Sequence, residues 1–153
     1  MIYVLLLIAV LLFSGIFLLV HFLRKKPVDE PLPTLDEQHR AFQIVWKVYG
    51  VPADVTPPSI RYVRSDQLNC FDGLGWKTSD GKCVAGVSWE DQNTCAVAWP
   101  AGTKKLSQTA FAHELWHAAT WVLGGLDPDH TGPGFAPGGQ VEQANAALRE
   151  AGL

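Results

Sequence analysis

Sulfur is scarce in this chain of 153 residues: it has one methionine, Met1, and three cysteines, Cys70, Cys83 and Cys95. Three cysteines are too few for a disulfide-dense secreted scaffold, and their spacing matches no zinc ribbon. Clustered basic charge is missing as well. Outside Arg24, Lys25 and Lys26 the chain has nine basic residues against fifteen acidic ones, a formal charge near −6. That balance excludes nucleic acid as a partner. No internal repeat is present, which excludes solenoids and propellers.

Two further absences favour a retained anchor over a cleaved secretory signal. Nothing basic precedes the first apolar run, and no A-x-A-like site closes it. The run itself, Ile2 to Leu23, holds no charged residue apart from the titratable His21. Twenty-two helical residues at ~1.5 Å each reach roughly 33 Å, enough for a ~30 Å hydrocarbon core. A retained, single-pass transmembrane anchor is therefore expected over residues 1–26, with residues 2–23 in the lipid bilayer. Its basic flank, Arg24 to Lys26, places residues 27–153 on the cytoplasmic side by the positive-inside rule. Disulfide pairing among the cysteines would argue for the other side.

After the anchor, residues 27–33 (PVDEPLP) form a stiff, proline-rich linker. The remainder, residues 34–153, is one domain's worth of chain. A helix is predicted from Thr34 or Asp36, with Ala41, Ile44, Val45 and Val48 at helical spacing and Gly50 and Pro52 as the stop. SIRYV reads as a short strand, and residues 69–82 as an irregular loop. CVAGVSW (83–89), EDQN and TCAVAWP (94–100) read as a hairpin. Ser107 is the expected N-cap of a second helix, QTAFAHELWHAATWVLG, with Gly124 and Gly125 at its end. A proline- and glycine-rich loop leads to a last helix, QVEQANAALREAGL. This order predicts a compact α+β fold.

The second helix contains His113, Glu114, Leu115, Trp116 and His117, an H-E-x-x-H pentapeptide. Four residues make about one turn, so both imidazoles project from one face and can share a cation. Neutral imidazole suits zinc, and Glu114 stands where a carboxylate can take a proton from water activated by that ion. Catalytic zinc normally has three protein ligands and an open position. His130 is the first candidate for the third. The helix carries the chain ~9 Å beyond His117, and the seven residues from Gly124 to His130 can span up to ~23 Å back. Asp127, Asp129 and Glu142 are the competing third ligands; the two aspartates can instead orient a ligand imidazole.

AFAHELWHA resembles the active-site helix of the zincin metallopeptidases, and CAVAWP resembles their edge strand. The likeness is to small, membrane-anchored bacterial proteins of that type. It implies a minimal zincin-like domain in which His113 and His117 bind zinc and Glu114 is general base and proton shuttle. It also implies that substrate lies extended along residues 94–99, with Trp99 walling a pocket. The longer metzincin pattern is not met: Thr120 stands in place of glycine, Leu123 in place of the third histidine, and there is no Met-turn. Tyr49, Tyr62, Arg61 and Arg64 are the available oxyanion donors, and His39 is expected on a helix surface. The expected function is a membrane-anchored, zinc-dependent peptidase or amide hydrolase acting on a peptide or protein substrate. The alternative is a non-catalytic, zinc-stabilised binding module, which needs a fourth protein ligand.

Overall fold

The computed structural model describes residues 31–64, 84–100, 102–125 and 130–153. Helix α1, Leu35–Tyr49, starts where a capping box closes on itself. The Glu37 N–H donates to Thr34 Oγ1 at 3.2 Å, and the Thr34 N–H donates to Glu37 Oε2 at 2.7 Å. Two of the helix's orphan donors are thereby satisfied. Ala41, Val45, Trp46 and Tyr49 form its buried stripe, and Gly50 ends it at φ 73°.

Three strands follow: β1 (Ser59–Val63), β2 (Gly86–Trp89) and β3 (Thr94–Ala98). β2 and β3 are the antiparallel hairpin read from the sequence, turned by a short 3-10 segment at Glu90–Gln92 and by Asn93 at φ 45°. β1 runs parallel to β3 on its other side, so the sheet order is β1-β3-β2. This corrects the expected edge: β3 is the central strand, and β2 is an edge among the described residues. The physical reason lies in the composition of β3, since TCAVA is apolar on both faces. Cys95 and Val97 enter the main core, while Ala96 and Ala98 meet Val63, Val84, Val87 and Trp89 on the opposite face. Trp99 is likewise buried, edge-on to Tyr62 at 5.5 Å.

Helix α2, Phe111–Leu123, packs on β2 and β3, and α3, Gln140–Glu150, packs on α1 and α2. Phe111, Leu115 and Leu148 are fully buried between them. Each such side chain contributes about 1.5–3 kcal/mol of burial free energy. Ser107 is not the cap of α2. Its hydroxyl donates to the Leu153 carbonyl at 2.6 Å, and the chain makes a 3-10 turn at Leu106–Gln108 first. The helix starts after Ala110, with the Phe111 N–H donating to Thr109 Oγ1 at 3.2 Å. A tertiary partner took the serine that local capping statistics favoured.

The α+β class is thus observed, with three helices and a mixed three-stranded sheet. No helix among the described residues is long and apolar enough to cross a membrane. The span expected at residues 2–23, its basic flank, most of the linker and the loop at residues 69–82 lie outside the described residues.

Candidate metal centre

One turn separates His113 from His117 on α2, so their rings stand side by side with centroids 5.1 Å apart. Gly124 ends the helix at φ 81°, and the chain returns to bring His130 against them. The three Nε2 atoms form a small triangle: 2.9 Å from His113 to His130, 3.2 Å from His117 to His130, and 3.3 Å from His113 to His117. Each Nε2 has one in-plane lobe and can serve one hydrogen bond, not two. Three nitrogens mutually this close have instead the spacing of donor atoms around one cation. Three imidazole nitrogens are a donor set that suits zinc, and they would hold it here. Burial, and then the neighbouring charges of His117 and His130, lower the His113 pKa from 6.5 to about 4. Its ring is neutral at pH 7, the form a metal needs.

Glu114 points the other way, into the protein. It is only 3% exposed, and its Oε2 accepts from Ser88 Oγ on β2 at 2.7 Å. Beside it, the Gly86 backbone comes so close that a Cβ there would lie 2.4 Å from Glu114 Oε1. Desolvation raises the Glu114 pKa from 4.5 to about 7, against the lowering effect of the Ser88 hydrogen bond. The Ser88 hydroxyl also lies 3.2 Å from the Glu114 carbonyl and from Cys95 Sγ. Burial pushes that thiol up to about 12.

The other sequence candidates are placed elsewhere. Glu142 sits at the start of α3, where its Oε2 accepts from the Gly138 N–H at 2.7 Å. Asp127, Asp129, Cys70 and Cys83 lie outside the described residues. The Tyr49 hydroxyl is spent inside the fold, donating to the Ala112 carbonyl at 2.5 Å. Tyr62, Arg61 and Arg64 belong to β1 and its end, across β3 from β2. His39 is on the exposed face of α1, within 2.9 Å of Gln43 Nε2.

Sequence reasoning missed four contributors. Ser88 and Gly86 hold the carboxylate, and no local motif marks a serine and a glycine as the neighbours of a helix some 26 residues on. Phe135 and Gly134 back the histidines: the Phe135 ring centroid lies 4.8, 5.5 and 4.6 Å from those of His113, His117 and His130. The one available signal was the proline–glycine loop itself, since such loops are commonly ordered by what they pack against.

β2 adds one more feature. The Ala98 N–H donates to the Ala85 carbonyl at 2.9 Å, which fixes the hydrogen-bonding phase of the hairpin. Gly86 and Ser88 then belong to non-hydrogen-bonded pairs, and their backbone N–H and C=O groups point away from β3. Comparison of the chain with protein-family models, with curated proteins and with solved structures finds no match.

Proposed function

We propose that this chain is a membrane-anchored, zinc-dependent peptidase or related amide hydrolase of minimal zincin type. One observation carries the reading: three Nε2 atoms meet within 2.9–3.3 Å, the spacing of donor atoms around one cation. His113, His117 and His130 are assigned as the ligands, and Glu114 as the general base. Zinc, when bound, supplies Lewis acidity: it polarises a carbonyl and lets water lose a proton near neutral pH. A carboxylate held near 7 can take up a proton at that pH and return it to a leaving amine. The Ser88 hydroxyl holds Oε2, so Oε1 is the freer basic atom.

The outward backbone groups of Gly86 and Ser88 make β2 the strand on which an extended peptide would add, beside Glu114. This assigns to β2 the substrate role that the zincin likeness implied for residues 94–99. The apolar run at 2–23 and its basic flank support the anchor. A purely structural zinc site would need a fourth protein ligand. Among the described residues the cluster has three members, and Glu142 is held by Gly138.

The first test is elemental analysis of protein purified without a histidine tag; metal-free protein that takes up no zinc ends this reading. The second is Glu114→Gln, assayed on peptide and cell-wall substrates with zinc content verified. A loss of about 10²–10⁴-fold in turnover is expected for a general base. Undiminished turnover would remove Glu114 from that role.

A further inference from the structure

We propose that Phe135 is the positioning residue of the metal centre, holding the three imidazoles converged before any cation arrives. This inference rests on the metal-binding reading above. His130 is the one histidine of the three that is not on α2, and its φ of 56° lies in the left-handed region that non-glycine residues disfavour. The three nitrogens also cannot satisfy one another, since each has only one lobe to offer.

Phe135 is placed to hold the rings. Its ring reaches all three imidazoles, at centroid distances of 4.6–5.5 Å, from five residues beyond His130 on the same segment. The segment is itself fastened at two points. Gly134, in the 3-10 turn Pro133–Phe135, is seated on the indole of Trp116, where a Cβ would fall 2.2 Å from Cε2. At the other end, Gly138 donates its N–H to Glu142 Oε2 and accepts from Gln143 Nε2, both at 2.7 Å. Trp116 is held edge-on by Tyr49 at 5.0 Å. A chain of protein contacts, none involving a cation, thus runs from α1 and α3 to Phe135 and onto each imidazole. Partners of this kind fix ligand orientation and set affinity without touching the metal.

The test uses the full chain in detergent, stripped of metal, with Zn²⁺ titrated against a chromophoric chelator and Co²⁺ followed by its visible absorption. Phe135→Ala is expected to raise the Kd for both ions by about 10–100-fold, the usual cost of an outer-shell loss. It should also weaken the intense cobalt bands of four-coordination, as His130 leaves. In a His130→Ala background the same change should add less than in the wild-type chain, because the two losses share one cause. A side chain that only filled space would lower the unfolding midpoints of the metal-free and metal-loaded protein alike and leave Kd and the cobalt spectrum unchanged; that result overturns the proposal. If Phe135→Ala does not fold, Gly134→Ala lifts the segment off Trp116 with Phe135 retained. It is expected to loosen the site similarly, and a wild-type Kd there also overturns the proposal. Failure of the wild-type chain to bind either ion would instead sink the metal reading, and this inference with it.

Discussion

Gly86→Ala probes the closest approach in the site. The added Cβ would meet Glu114 Oε1, Cγ and Cδ at 2.4, 2.6 and 2.7 Å. Comfortable carbon contacts begin near ~3.5 Å, so one side must yield by about 1 Å. The carboxylate has little freedom to do so, because it is 3% exposed and Ser88 holds its Oε2. Overpacking of this kind costs about 1–3 kcal/mol. The sign reverses once Glu114 is shortened. In a Glu114→Ala background the three clashing atoms are gone, and Gly86 has no left-handed backbone to strain. Gly86→Ala should then be neutral or stabilising by about 0.4–1 kcal/mol, through the unfolded chain. Urea unfolding of the four metal-free proteins gives the coupling energy, expected at about 1–4 kcal/mol. Equal cost of Gly86→Ala in both backgrounds would refute the close approach of β2 to α2 and the role assigned to it.

Two further outcomes follow from the same pair of elements. Ser88→Ala removes the donor to Glu114, and should cost about 1.5–3 kcal/mol at pH 8, where the carboxylate is charged, and clearly less at pH 5; a pH-independent loss in urea unfolding would contradict the hydrogen bond. The metal-free protein should also carry two opposed pH terms. Glu114, raised from 4.5 to about 7, binds its proton more tightly when folded, so its term lowers stability as pH rises through that window. His113, lowered from 6.5 to about 4, acts in the opposite sense: its term raises stability as pH climbs from 4 to 6.5. Glu114→Gln deletes the first term and should unmask the second, a gain of about 1–3 kcal/mol between those pH values after discounting for the partial exposure of His113. Denaturation of the metal-free variant at pH 4.5 and 6.5 checks this, and a flat or falling profile would contradict it.

Much of the architecture was legible because it is written in short-range signals. Thr34 or Asp36 with the helical spacing of Ala41, Ile44, Val45 and Val48 announced the first helix, Gly50 and Gly124 its end and that of α2, and the run on either side of EDQN announced the hairpin. The errors came where a distant partner competed with a local preference. Ser107 has every local qualification for a cap, but Leu153 takes its hydroxyl. CAVAWP looked like an edge because it immediately precedes the motif helix. Its small apolar residues on both faces were the overlooked sign of a central strand, and the parallel partner that covers it comes from about 35 residues earlier.

The H-E-x-x-H spacing by itself determined that two imidazoles share a helix face and that Glu114 leaves by another, since 3.6 residues per turn allows nothing else. The reach of the Gly124–His130 loop permitted a third imidazole but equally permitted an aspartate or Glu142. Only the tertiary structure decided that His130 meets the other two, that Phe135 backs all three, and that β2, through Gly86 and Ser88, encloses the carboxylate. The division has a physical cause. Helix phase and caps are settled by atoms within a turn or two of one another, whereas the meeting of a loop, a strand and a helix depends on which apolar faces find each other when the whole core closes.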